Sequence, residues 1–194
     1  MNVQLEDIYG KREAVLNSTL ALIREHGFHG TPMSQIAKHA GVAAGTIYHY
    51  FDSKETLIVE LYVHVKNRLA AAVIVGDDEN KPYKERFFNF LINQFHFYVQ
   101  NENSLIFLEQ YDHSPFAKKF PDRDSELFIN KVISVFEYGI KNAYFKNIDT
   151  MLLAPIIRGT LVAAANYQLS ESITFSETDI VEIVNMIWDG VKRQ

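Results

Sequence analysis

The sequence predicts an all-α protein, and three observations carry that expectation. Apolar residues recur at three- and four-residue intervals over most of the chain. No sustained alternation of apolar and polar residues flanked by turn signals is found. Only nine glycines and five prolines occur in 194 residues, and Gly27, Gly41 and Pro82 fall between the periodic segments.

The elements follow in order. Val15, Leu16, Leu20, Leu22 and Ile23 mark an amphipathic helix that Gly27 stops. Thr31 and Pro32 start the next one, Thr as a cap and Pro at the first helical position. It carries Met33, Ile36, Ala37 and Ala40 on one face and ends at Gly41. A second short helix covers 44–51. Ser53 then caps a long helix through Leu57, Ile58, Leu61, Tyr62, Val65 and Leu69. After an acidic turn at 76–82, helix resumes through Phe87, Phe88, Phe90, Leu91, Phe95 and Tyr98. A break at 101–104 precedes an apolar stretch at 105–111, and breakers follow at 113–116 and 120–121. Helices at 127–144, 151–169 and 178–191 complete a count of about nine. No repeat with a period of 20–50 residues is present. There is no Gly/Pro/Ser linker, so the boundary is placed inside the long helix, giving domains 1–54 and 55–194.

Composition excludes several classes. A hydrophobic share of 47% rules out a disordered or collagen-like chain. With no cysteine, disulfides, thiolate metal sites and cysteine nucleophiles are excluded. No apolar run is long enough to span a membrane. The first residues lack the basic and apolar regions of a signal peptide, so a cytoplasmic protein is expected. The formal net charge is −5, which taken whole argues against a general nucleic-acid binder. Its distribution says more. Residues 8–54 hold five cationic and three acidic side chains, a balance of +2, so the rest carry −7.

The informative stretch is 31–54. Two short helices meet at Ala40-Gly41-Val42, a tight glycine turn, which is a helix-turn-helix layout. In that layout the second helix enters the major groove of DNA. Its start is small, with Ala43, Ala44 and Gly45 allowing close approach to a phosphate, and a helix start favours an anion. Thr46, Tyr48, His49 and Tyr50 supply hydroxyl and imidazole groups for phosphates or base edges. Ile47 and Phe51, four apart, anchor the helix to a core. Lys54 opens the next helix as a point charge for a phosphate.

These residues resemble the tetracycline-repressor (TetR) family of bacterial regulators. The resemblance rests on Val15-Leu16, Leu20 and Leu22-Ile23, then Glu25-His26-Gly27-Phe28, Thr31, Ile36-Ala37 and Ala40-Gly41-Val42. It continues through Gly45-Thr46-Ile47-Tyr48-His49-Tyr50-Phe51 and Lys54, about the first third of the chain. It implies an amino-terminal three-helix DNA-binding domain, joined by a long helix to a larger helical domain that dimerises and holds an inducer. A homodimer on a palindromic double-stranded DNA operator, released as a repressor by a ligand, is the function implied. This chain departs from the family at Ala43-Ala44, where the family often has polar or basic residues or Pro. Recognition is therefore expected to lean on Thr31, Ser34, Tyr48, His49, Tyr50 and Lys54.

Beyond residue 75 the aromatic load is heavy and the charge acidic. Rings at helical spacing usually fill a core, yet they also line apolar pockets with a few polar groups. A pocket among 83–112 and 127–169 is expected, lined by Phe95, Tyr98, Phe107, Tyr111 and Tyr138. It would suit a small apolar or cationic-aromatic ligand, because ring faces attract cations. The last two helices carry more apolar residues than one core stripe needs. They include Ile156, Ile157, Leu161, Ile180, Ile183, Val184, Ile187 and Trp188, with small Gly159, Ala163 and Ala164, and a homodimer through them is expected. No metal or cofactor is expected: Gly27 separates His26 from His29, and no H-E-x-x-H or Gly-rich phosphate loop occurs. Two alternatives stand beside this reading. One is a helical ligand-binding or scaffold protein with weak or no DNA binding. The other is a small helical enzyme, for which no nucleophile–base or metal set is assembled, so no enzyme is expected.

Overall fold

The computed structural model describes residues 3–120 and 126–193; the expected breaker Pro121 lies outside them. Helices dominate: α1 (Val3–His26), α2 (Met33–Ala40), α3 (Ala44–Tyr50), α4 (Lys54–Val73), α5 (Tyr83–Gln100), α6 (Glu102–Asp112) and α7 (Pro115–Lys119) come first. They are followed by α8 (Glu126–Phe128), a π-helical turn (Ile129–Ile133), α9 (Ser134–Lys141), α10 (Thr150–Ser170) and α11 (Glu177–Val191). No strand is present among the described residues beyond one isolated bridge between Phe145 and Lys192. No helix among them is long and apolar enough to cross a membrane.

The chain forms two compact units. One takes residues up to Val65 together with Asn103 through α7; the other takes 66–102 and 126–193. The first is built on the apolar stripe of α1: Val15, Leu16 and Ile23 are fully buried, with Ile36, Ile47, Phe51, Leu57, Ile58 and Leu61. It extends past residue 54 because α6 and α7 add to its core. Tyr62 stacks on Tyr111 at 4.2 Å, and Phe28 packs against Phe107 and Phe116. Lys119 pairs with Glu55 at 2.6 Å.

In the second unit α5 is central and packs against α10 and α11. Phe87, fully buried, meets the rings of Phe136, Phe145 and Trp188. The segment after α9 is held by the last turn of α11 and the residues just beyond it. The Lys146 N–H donates to Val191 C=O, the Arg193 N–H to Tyr144 C=O, and Lys146 Nζ to Gly190 C=O.

Local expectations differ from the structure at several points. The break expected at 101–104 narrows to Asn101, since α6 starts at Glu102. The stretch read as breakers at 113–116 contains the start of α7: Ser114 accepts from the Ala117 N–H and Pro115 takes the first helical position, which is a helix start rather than a stop. The helix expected over 127–144 is interrupted by the π-helical turn and ends at Lys141, where Ala143 adopts a left-handed φ of 59°. Thr31 does not cap α2. Pro32 occupies that position with no side-chain cap, and the Thr31 hydroxyl donates to Gly27 C=O at 2.8 Å. The Ser53 cap forms as expected, its Oγ accepting from the Thr56 N–H at 3.1 Å.

Candidate nucleic-acid interface and ligand cavity

The turn between α2 and α3 depends on Gly41. Its φ of 68° is left-handed, a conformation that costs any residue with a Cβ. The Gly41 N–H reaches Lys38 C=O and the Val42 N–H reaches Ala37 C=O, closing the end of α2. Ile36 and Ala37 of α2 and Ile47 of α3 face inward, with Phe51 fully buried just beyond. The Arg12 guanidinium lies 5.3 Å from the Phe51 ring and pairs with Glu60, fixing α1 to α4 around this anchor.

With Ile47 turned in, the rest of α3 is left outside. Ala44, Gly45, Tyr48 and His49 are exposed, Tyr48 to 55%, and Thr46 and Tyr50 are half-buried. Tyr50 sits between the His49 and Phe51 rings, edge-on to each. No side chain caps α3, so its first backbone N–H groups face solvent beside small residues. At Gly45 nothing lies within 4 Å of where a Cβ would be. Ser34 is exposed on α2, next to exposed Lys38 and His39. Lys38 and His39 were not singled out from sequence, although their place opposite Ile36 and Ala37 was open to a helical-wheel reading.

Two expected contacts are placed differently. Thr31 is fully buried and its hydroxyl is engaged by Gly27, so it supports the α1–α2 turn instead of presenting a donor outward. Lys54 donates to Phe28 C=O and is half-buried. Burial lowers its pKa from the usual lysine value. It remains at the first turn of α4, next to the turn that follows α3.

The five rings expected to line one pocket are not brought together. Phe107 and Tyr111 belong to the first unit, and Phe95 and Tyr98 are core residues of the second, all four buried. Tyr98 also accepts from Gln94 Nε2 at 2.8 Å. Tyr138 lines a cavity of about 430 Å³ in the second unit, whose lining includes none of the other four. Its walls are Val73 and Ile74 from the last turn of α4 and the residue after it, Tyr83, Arg86, Phe87 and Phe90 from α5, and Ser134, Val135 and Tyr138 from α9. Asp77 and Glu79 complete the lining. Tyr83, Phe87 and Phe90 repeat at helical spacing, and that stripe was the available signal.

The cavity's polar groups are ordered. Arg86 Nε and Nη2 each donate to a separate oxygen of Asp77 at 2.8 Å. That bidentate bond holds the Asp77 carboxyl below the usual range and raises Arg86. Tyr83 donates to Val135 C=O at 2.8 Å, and burial pushes its phenol pKa up. Gly139 permits this: a Cβ there would lie 2.4 Å from both Tyr83 Oη and the Phe145 ring.

A second surface is apolar. On α10, Leu152 (60% exposed), Ile156 (65%) and Tyr167 (56%) align with exposed Gly159 and Ala163, and Met186 is exposed on α11. Ile157, Leu161, Ile180, Val184, Ile187 and Trp188 are instead turned into the unit's own core.

Comparison with known proteins places this geometry. Residues 15–61 match the family model for bacterial regulatory proteins of the tetR family. Residues 82–192 match the tetracyclin repressor-like C-terminal domain. An HTH-type transcriptional regulator of Haemophilus influenzae is 33% identical over 103 residues, 53% of this chain and 55% of that protein. The match thus spans about half the length of that relative. A TetR family transcription regulator from Marinobacter aquaeolei shares the fold, with a TM-score of 0.88 at 23% identity over all of both chains. So does the regulator FadR of Bacillus subtilis in complex with stearoyl-CoA, with a TM-score of 0.71 at 22% identity over 91% of this chain and 95% of that one. The second family model alone covers more than half of the sequence, and the chain belongs to the tetracycline-repressor (TetR) family of bacterial transcriptional regulators.

Proposed function

We propose that the chain is a cytoplasmic repressor that binds a palindromic operator as a homodimer and is released by a small ligand. The observation that carries it is the outward face of α3, where Tyr48, His49, Thr46 and Tyr50 surround a start of Ala44 and Gly45 behind the buried anchor Ile47. Tyr48 and His49 read base edges, and Ser34 and Lys54 contact phosphates. Lys54 does so by exchanging its carbonyl partner for a phosphate. DNA reading is assigned to 1–54, and ligand binding and dimerisation to 55–194. This division by role does not follow compactness, since α6 and α7 pack with the first unit.

The stripe of Leu152, Ile156, Gly159, Ala163 and Tyr167 supports pairing of α10 and α11 with a second copy. A contiguous apolar surface of this kind marks an interaction site, and an isologous contact would be self-complementary. Two recognition helices must then sit about 34–36 Å apart to read successive major grooves. An apolar or cationic-aromatic ligand fits the ring-lined cavity of the second unit. That a regulator of the same fold takes an acyl-CoA supports ligand responsiveness here. A ligand weakens DNA binding only by its differential affinity for the two states. No catalytic role belongs to this reading.

Footprinting of the purified protein on DNA upstream of its own coding region tests the proposal, with sedimentation at micromolar concentration beside it. Protection of a two-fold symmetric site by a dimer is expected. A monomer, or absence of salt-dependent protection, would overturn the proposal and favour the non-DNA-binding alternative.

A further inference from the structure

Charge in the second unit's cavity is unevenly satisfied. Its lining holds two carboxylates, Asp77 and Glu79, and one cation, Arg86. Arg86 is bound to Asp77 through two hydrogen bonds, so this cation and this carboxylate are already matched. Glu79 lies in electrostatic range of Arg86 but makes no hydrogen bond or ion pair among the described residues. Lys131 acts on Asp77 from outside the lining. An entering anion would therefore meet a guanidinium already neutralised, and a carboxylate beside it.

The apolar walls point the same way. Phe87 and Phe90 lie nearly parallel, 6.4 Å apart, and Tyr83 lies 6.0 Å from Phe87. Tyr138 is about half exposed at the mouth, 5.4 Å from Tyr83. Phe87 and Phe90 form the buried floor behind it, so the half-exposed Tyr138 ring is the face open to a ligand, and ring faces attract cations. A volume of about 430 Å³ falls in the usual range for small-molecule sites. A separate feature adjoins it: the π-helical turn Ile129–Ile133 directly precedes the lining residues Ser134, Val135 and Tyr138. Such turns interrupt a helix at a cost and recur at functional sites.

We propose that this cavity binds a small organic cation with an aromatic or alkyl body, its charge between Glu79 and the Tyr138 ring and its body against the half-buried Ile74 and Val135. The proposal rests on the reading of the chain as a ligand-responsive regulator and names the site and charge of that ligand. It also gives the ligand a route into α4, which starts at Lys54 and whose last residue, Val73, forms part of the cavity wall.

Calorimetric titration of the full chain tests it, with benzyltrimethylammonium as the probe. Its uncharged isostere neopentylbenzene and the anion phenylacetate are the comparisons. The cation should bind about tenfold more tightly than either, as cation–π and carboxylate attraction in a partly dry site imply. Glu79→Gln and Tyr138→Ala should each weaken the cation by about three- to tenfold with an unchanged melting temperature. Glu171→Ala, exposed after the end of α10 and outside the cavity, should leave its affinity unaltered. Equal binding of cation and isostere, preference for phenylacetate, no binding at millimolar cation, or unchanged affinity in both cavity variants would each overturn the site. Calorimetry needs no operator, so failure here leaves the DNA-binding reading standing, and failure of footprinting leaves this site standing.

Discussion

The helices α3 and α9 are nearly equal in length, seven and eight residues, and are used in opposite ways. α3 buries one side chain, Ile47, and offers most of its surface to solvent. α9 buries Phe136 and Gly139 and stands against the rings of a neighbouring helix and loop. Each contains a glycine. Around Gly45 there is open space where a Cβ would point, while at Gly139 a Cβ would strike Tyr83 and Phe145. The same residue leaves open space beside the helix in one case and permits close packing in the other. Substitutions at the two helices should therefore separate folding from binding.

The largest effect is expected at Gly139→Ala. The added methyl must displace two rings, and overpacking of a tight core costs about 3 kcal/mol. Urea denaturation should show a lower midpoint, and operator binding by the remaining folded fraction should be normal. An unchanged midpoint would show that Phe145 and Tyr83 yield freely, and the contrast with Gly45 would collapse.

Tyr48→Ala and His49→Ala come next. Each should weaken operator binding by about 1–3 kcal/mol, the value of a good base contact, while helical content and dimerisation stay as they were. Gel-shift titrations over a range of salt distinguish the roles. A base contact changes preference among operators, whereas a phosphate contact flattens the salt slope.

Gly45→Ala sharpens the comparison further. With nothing nearby, alanine should stabilise the helix by up to about 1 kcal/mol. If DNA backbone comes close at this point, the same variant loses operator affinity. A rise in melting temperature with weaker binding is the expected pair of results.

The smallest effect belongs to Asp77→Asn. The Arg86 bond lowers the Asp77 pKa in the folded state, so its contribution is complete above the unfolded carboxylate value of about 3.9. It fades only as pH falls through the lower folded value. Because the pair is partly solvated, the loss at pH 7 should be about 0.5 kcal/mol or less. The difference between variant and parent should hold from pH 7 to about pH 5 and disappear in stronger acid.

How much of this was legible in the sequence follows from the same contrast. The α2–α3 region is local. Gly41 must take a left-handed turn, and Ile36, Ala37 and Ile47 must face one way, so spacing alone settles which side chains are left outside. Thr31 escaped this logic because two roles suit a threonine beside a helix start, and the carbonyl of Gly27 claimed it. The α7 start was present in Ser114-Pro115 but was masked by reading proline only as a breaker. The cavity was less accessible. Phe95 and Tyr98 lie on α5 and Phe107 and Tyr111 on α6, within the ranges expected to form it, but the phase of α5 directs Tyr83, Phe87 and Phe90 to the cavity and buries Phe95 and Tyr98 elsewhere. Phase between packed helices depends on residues far apart in the chain, such as Gly139 and Phe145, which no local window contains. The π-helical turn has the same character, since nothing in Ile129–Ile133 departs from an ordinary helical sequence.

The hydrogen bonds that join Lys146 to Val191 and Arg193 to Tyr144 give the residues at the close of α11 an unexpected duty. They hold the strand of chain carrying Phe145, and Phe145 is the ring that fills the space Gly139 leaves open. Loss of Lys192 and Arg193 would remove one side of this clasp. Phe145 would then be free to swing away, and Tyr83 would lose a neighbour at 5.6 Å. The damage would appear at the ring-lined cavity, more than a hundred residues upstream in part, with α3 untouched.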